Sequence, residues 1–220
     1  MRIIGLLLLS CSLCMSCVQT DKKKALIDDD FLVAEQHLSN QLKAVPEPTV
    51  YPRTIGKDGK LIATPKNDWT EGFYPGCLWY IYEHNREENW KQSAIKWTEA
   101  LEPMKKLTSH HDIGFLIYCS FGNAYRLTGK EEYKDVIIEA ANSLTTRFSE
   151  VTGCIKSWNY RKAWNGRDEW FYPVIIDNMM NLELLYFASK VTGDTRYAKI
   201  ATTHAETTAK NQLRDRKSVV

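Results

Sequence analysis

The chain has 220 residues, 44% hydrophobic and 25% charged, with 29 basic and 27 acidic residues and a formal net charge of +2. Such a composition excludes disorder and leaves room for one sizeable core or two small domains. No long run of one sign is present, which argues against a nucleic-acid footprint or a polybasic membrane patch.

At the start, MRIIGLLLLSCSLCMSC combines a basic residue, an apolar stretch and cysteines after small residues. The apolar stretch is far shorter than the roughly 20 residues that span a bilayer, so residues 1–17 read as an export signal. Cys17 after Ser16 fits a lipidated cysteine by position, while the residues before Cys11 fit the usual box better; a simply cleaved secretory signal is the remaining reading. The expected location is the periplasm, with attachment to the inner or outer membrane if Cys17 is lipidated. Cys77, Cys119 and Cys154 lie beyond the leader without metal-ligand spacing and read as buried thiols rather than a disulfide framework.

Residues 18–67 read as a helix from Asp28 to about Lys43 followed by an irregular, proline-containing linker from Val45 to Asp68. Beyond it the chain repeats. REENW, GKEEY and GDTRY each follow an apolar helical run and precede a helix with a wet face, the second and third copies lying 64 positions apart. After Tyr133, the residues Val136, Ile137, Ala140 and Leu144 form one stripe; Tyr197, Ile200, Ala201, Ala205 and Thr208 form its counterpart. The runs GFLIYCSFGNAY and NLELLYFASKV are apolar on most of their circumference and are expected to be buried on nearly all sides. Gly129 and Gly193 stand where a helix needs a residue tolerant of a left-handed backbone. The pattern predicts an all-α fold of helical hairpins over residues 68–220. A solenoid and a closed toroid both fit, and the apolar first helix of each hairpin favours the toroid. Thr146 to Pro173 reads as a long loop with a short hairpin around Cys154 to Trp158, of the kind that covers a binding site.

The repeat places Trp69, Asp112 and the position before Asp177 equivalently, each at the start of an inner helix. A helix cap explains one such aspartate, at roughly 0.5–2 kcal/mol. Two of them, with His111 adjacent, point instead to a cavity where carboxylates hold a polar ligand or a proton. Both carboxylates are expected to open onto one cavity at one end of the helices. Trp69, Phe73 and Tyr74, with Trp158, Tyr160, Trp164, Trp170, Phe171 and Tyr172 in the loop, crowd the same end; some are a hydrophobic lid, and flat rings beside carboxylates suit a sugar. Trp90 and Trp97 read as core contacts of an outer helix.

WTEGFYPGCLWYIYE, SHHDIGFLIYCSFGNAYRLTGKEEY and PVIIDNMMNLELLYFASKVTGDTRYAKIATTHA strongly resemble the unsaturated glucuronyl hydrolases, glycoside hydrolase family 88, from about Asp68 to Asp215. The resemblance implies a toroid of six helical hairpins, of which this chain holds the N-terminal half. It also implies removal of the terminal 4,5-unsaturated uronic acid from lyase-generated glycosaminoglycan oligosaccharides by hydration of the C4=C5 bond. By it, Asp177 is the general acid and base, and Asp112 the second essential carboxylate. Trp69, His111, Trp158 and Asn178 border the substrate, and neither metal nor organic cofactor is needed. Alternatives are a related unsaturated rhamnogalacturonyl hydrolase acting on pectin fragments and a non-catalytic sugar-binding or inactive fragment. The terminal RDRKSVV lacks the family's substrate-binding histidine, so a truncated, frameshifted or partial chain is expected.

Overall fold

The computed structural model describes the backbone of residues 2–163 and 165–213, and side chains from residue 23 onward. The side chains of Cys11 and Cys17, all of Trp164 and the terminal RDRKSVV therefore lie outside the described residues. Two units are distinguished, Met1–Pro46 and Glu47–Val220. The first contains one helix, α1 (Arg2–Ala44). It continues past residue 17 without a break, since residues 6–44 include neither glycine nor proline to stop it. Among the described residues, no helix is long and apolar enough to cross a membrane.

The second unit opens with a departure from the expected irregular linker. β1 (Tyr51–Ile55) pairs antiparallel with β2 (Leu61–Thr64), and Asp58-Gly59 forms the turn, with Gly59 at φ 77°. An Asp-Gly pair between two short β-prone runs is a hairpin signal, and the neighbouring prolines obscure it. The hairpin is anchored from its first residue: Tyr51 is fully buried, donates its hydroxyl to the Trp97 carbonyl at 2.9 Å and meets the Trp97 ring edge-on at 4.9 Å.

Three helical hairpins follow. The inner helices are α2 (Phe73–Asn85), a π-helical segment Gly114–Gly122 running into α4 (Asn123–Thr128), and a 3₁₀ segment Ile176–Asn181 running into α6 (Leu182–Thr192). Their outer partners are α3 (Glu88–Glu99), α5 (Glu131–Thr145) and α7 (Thr195–Gln212). Each inner helix ends on a left-handed residue at an equivalent place in the repeat: Arg86 at φ 60°, Gly129 at φ 67° and Gly193 at φ 75°. Their N–H groups close the helices on the carbonyls of Tyr82, Tyr125 and Ser189 at 2.9, 2.8 and 2.9 Å.

The outer helices bury the stripes that their periodicity dictates. On α5 these are Tyr133, Val136, Ile137, Ala140, Ala141 and Leu144. On α7 the buried set is Tyr197, Ala201, His204 and Thr208, whereas Ile200 and Ala205 are half-buried, so the stripe is rotated from the one expected and takes in a histidine. Trp90 and Trp97 of α3 are core residues.

Inner helices approach one another closely through glycine. A Cβ on Gly72 would lie 1.9 Å from the Phe115 carbonyl oxygen, and one on Gly114 would lie 2.8 Å from the Asn181 Cα. The inner helices are less enclosed than expected. Tyr118 and Cys119 are half-buried within an otherwise buried run, and α6 exposes Glu183, Tyr186 and Lys190. These residues line or flank one open side of the inner layer, along which a cleft of about 340 Å³ runs between Tyr80, Tyr118, Tyr125 and Phe187. The thiol expectation is corrected at one place: Cys77 is exposed, Cys119 half-buried and Cys154 buried, all three free.

The insertion after α5 holds two small hairpins rather than one. β3 (Phe148–Ser149) pairs with β4 (Cys154–Ile155), and β5 (Arg161–Lys162) pairs with β6 (Glu169–Trp170). Left-handed Gly153 and Gly166 make the turns possible.

Candidate active site

Ser157, fully buried, sews together the two segments that carry the aspartates. Its carbonyl accepts the His111 N–H at 3.0 Å, its N–H donates to the Pro173 carbonyl at 2.8 Å, and its hydroxyl accepts the Ile175 N–H at 3.1 Å. His110 and Trp158 form an isolated antiparallel bridge beside it. Arg147, 4% exposed, fastens the same loop by donating Nε to the Lys156 carbonyl at 2.7 Å and Nη1 to the Thr108 carbonyl. A distant sequence element is thereby held against the start of the second inner helix.

The result is a cluster of His111, Asp112 and Asp177, whose donor atoms all lie within 4.8 Å of one another. His111 Nε2 lies 3.2 Å from Asp112 Oδ1 and 3.9 Å from Asp177 Oδ1, while Asp112 Oδ2 lies 3.0 Å from His110 Nδ1. His110 Nδ1 also lies 3.2 Å from the Asp112 N–H. One ring nitrogen cannot serve both groups: unprotonated it accepts the N–H, protonated it meets the carboxylate. The residues at these two helix starts, Ile113 and Ile175, give no side-chain cap, and the backbone N–H groups of Asp177 and Asn178 bond the Asp177 carboxyl, so part of its role is local to the helix start. Such nitrogen and oxygen donors are also close enough together to surround a small cation.

Short distance and good alignment differ here. His111 Nε2, Asp177 Oδ1 and Asn178 Oδ1 are buried without an aligned hydrogen-bond partner among the described residues, although His111 and Asp177 approach one another. Such groups cost about 1–3 kcal/mol each in a folded interior, an expense characteristic of functional sites. Burial pushes the Asp177 carboxyl above its ordinary range; His111 opposes this and the charge of Asp112 reinforces it. Burial also pushes His111 down, against the pull of Asp112 and Asp177. A carboxyl raised in this way beside a second carboxylate is better suited to hold and donate a proton than an ordinary aspartate.

The other sequence-predicted residues divide. Trp158 meets the His111 ring edge-on at 5.8 Å and carries the Arg161 guanidinium at 5.2 Å. It also walls a cleft of about 500 Å³ with Trp170, Phe171, Pro173 and Ile175. Asn178 is fully buried next to Asp177 and donates its amide to the Ile155 carbonyl at 2.8 Å. Trp69, 43% exposed, packs with Phe73 and Phe115 at 6.1 and 5.9 Å, beneath the Arg53 guanidinium. The two aspartates meet as expected, but neither lines the cleft at Trp158: Asp112 is only 6% exposed, and Asp177, whose side chain is 42% exposed, opens elsewhere than onto that cleft.

Sequence reasoning passed over Ser157, Arg147, Asn181 and His204. Asn181 accepts the Phe115 N–H at 3.1 Å and so joins the second and third inner helices. His204 had a usable signal, being seven residues after Tyr197 on the buried face of α7. Ser157 and Arg147 act through backbone groups of a loop, and nothing in their spacing reveals that.

Comparison with known proteins decides the kinship. An unsaturated glucuronyl hydrolase from Formosa agariphila is 44% identical over 171 residues, covering 77% of this chain and 42% of that protein. An unsaturated chondroitin disaccharide hydrolase from Streptococcus agalactiae is 36% identical over 156 residues, covering 67% of this chain and 37% of that protein. A solved structure, an unsaturated glucuronyl hydrolase specific for heparin, superimposes with a TM-score of 0.79 at 38% identity, over 86% of this chain and 49% of that one. The chain belongs to the unsaturated glucuronyl hydrolase family. Its three hairpins are the all-α, helical-toroid architecture of the solved unsaturated glucuronyl hydrolases. It spans a little under half the length of these relatives. No family model matches the chain.

Proposed function

We propose that this unsaturated glucuronyl hydrolase relative removes a terminal 4,5-unsaturated uronic acid from glycosaminoglycan-type oligosaccharides. Support comes from the names of its relatives, which include a heparin-specific and a chondroitin disaccharide hydrolase. The single observation that carries the chemistry is the close grouping of Asp177 with Asp112 and His111, in which burial raises the Asp177 carboxyl above its ordinary range.

In this reading the Asp177 carboxyl gives its proton to C4 of the C4=C5 double bond. The ring oxygen stabilises the cation left at C5. Asp177, now a carboxylate, takes a proton from water as the water oxygen bonds to C5. The hemiketal so formed opens, the hemiacetal at C1 collapses to an aldehyde, and the remaining saccharide leaves with its glycosidic oxygen. Each proton consumed at C4 is thus returned to Asp177 from water, and no oxidant or reductant enters. Asp112 keeps negative charge beside Asp177 and so favours its protonated state, while Trp158 offers an apolar face to the sugar. Within this reading, the leader at residues 1–17 supports periplasmic placement, with Cys17 as the lipidated residue.

The test is loss of the ultraviolet absorbance of an unsaturated chondroitin or heparin disaccharide by the purified chain, beside a saturated disaccharide of the same linkage. Consumption of the unsaturated sugar alone is expected. Equal cleavage of both would replace hydration with conventional two-carboxylate hydrolysis; cleavage of neither would remove the activity from this chain.

A further inference from the structure

His204 sits one layer behind the cluster, on α7, and is fully buried. Its Nδ1 accepts the Ile155 N–H at 3.0 Å, and its Nε2 lies 3.5 Å from the Thr208 hydroxyl. The Ile155 carbonyl, on the other side of the same residue, accepts the Asn178 side-chain amide at 2.8 Å. Asn178 immediately follows Asp177 and bears on His111 as well. Ile155 is itself fully buried on β4, so its two backbone groups have no water to fall back on.

We propose that His204 is a positioning residue for Asp177, acting through the backbone of Ile155 and the side chain of Asn178. The inference rests on the functional reading of Asp177 above but extends it to a residue on an outer helix. The contact demands one tautomer: Nδ1 must be bare to accept, so the ring proton sits on Nε2, facing Thr208. Burial, aided by the nearby His111, lowers the His204 pKa to about 4, which keeps Nδ1 unprotonated through the neutral range. A histidine is suited to the task because its rigid ring fills an apolar helix face while presenting a single acceptor at depth. Losing that acceptor leaves a buried N–H unpaired and frees β4 to shift. Asn178 then loses its fixed carbonyl, and the backbone turn carrying Asp177 loosens with it.

The experiment compares the full chain with His204→Leu and His204→Asn, the latter keeping a side-chain acceptor. Nuclear magnetic resonance reads Ile155 amide exchange and the titration of the Asp177 carboxyl carbon; turnover of an unsaturated disaccharide is measured in parallel. In His204→Leu, Ile155 exchange is expected to rise at least tenfold, and the Asp177 titration to move down toward the ordinary carboxylate range as water enters. With turnover present, kcat falls about tenfold at unchanged KM. His204→Asn is expected to recover most of both signals. Should His204→Leu not fold, Thr208→Val is read in its place, with the same directions and smaller changes. Faster Ile155 exchange with an unmoved Asp177 titration would reduce His204 to a structural residue and overturn the proposal, as would unchanged exchange. A wild-type chain without turnover would refute the functional reading alone, because the resonance measurements decide the positioning role without it.

Discussion

Asp177 Oδ1 lies 3.9 Å from His111 Nε2, and neither atom has an aligned hydrogen-bond partner among the described residues. Two buried polar atoms of opposite character, near one another yet unbonded, leave both poised toward a third group. Asp112 differs in its surroundings, since it is 6% exposed and its two oxygens lie 3.2 and 3.0 Å from His111 Nε2 and His110 Nδ1. The pair is therefore asymmetric, with Asp112 enclosed beside two imidazole rings and Asp177 half-buried, raised in pKa by burial and the more accessible of the two.

The activity should fall at alkaline pH with a midpoint displaced upward from that of an ordinary aspartate, because the acid form of Asp177 is the one that donates. Replacing Asp112 with asparagine removes a neighbouring negative charge and should move this alkaline limb toward lower pH. A pH–rate profile of kcat/KM on an unsaturated disaccharide checks both statements.

Glu71 gives an independent pH effect on stability. It is 1% exposed, accepts the Thr64 hydroxyl, and burial pushes its pKa from 4.5 up to about 7. The folded pKa lies above the unfolded value, so its favourable contribution is fully present below about pH 4.5 and is lost as pH rises through about 7. Glu71→Gln keeps an acceptor for Thr64 without the charge. It should match the wild type at pH 4 and exceed it by about 3 kcal/mol at pH 8, read by urea denaturation at both values.

Arg86 occupies the left-handed position that its repeat equivalents fill with glycine. Strain of order 1–3 kcal/mol is relieved in Arg86→Gly, offset by the looser unfolded chain and the lost stacking of Arg86 on Tyr82. A net gain of about 0.5–1 kcal/mol in unfolding free energy is expected, with catalysis unchanged.

These elements show what was legible in the chain and why. Gly129 and Gly193 announced their hairpin ends because left-handed backbone leaves few residue choices, while the end at Arg86 was legible only through the REENW repeat, since arginine does not mark a left-handed position. Asp112 and Asp177 could be paired because the repeat acts as a ruler along equivalent helices. The β1–β2 hairpin was hidden by prolines that suggest irregular chain, and the rotated stripe of α7 by a histidine that periodicity does not count as apolar. The hold of Ser157 and Arg147 on the loop depends on backbone groups brought together only by folding.

Gly114→Ala should be severe. Its Cβ would fall 2.5 Å from Asn181 Oδ1 and 2.8 Å from the Asn181 Cα, so the second and third inner helices must separate. Overpacking of this kind costs about 1–3 kcal/mol, and the loss of the Phe115 N–H to Asn181 bond adds to it. A lower Tm with reduced turnover checks it, and a Tm equal to wild type would contradict the close packing.

The measurement that bears most directly on the account is turnover of an unsaturated disaccharide by Asp177→Asn beside the wild-type chain, followed by ultraviolet absorbance. Asparagine keeps the size and polarity of the side chain but has no acidic proton to donate. A fall of about 10²–10⁴ in kcat is expected, with an unchanged melting transition and the saturated disaccharide untouched by either protein. Near-normal turnover by the asparagine variant, under conditions where the wild type is active, would remove Asp177 from the chemistry and contradict the account.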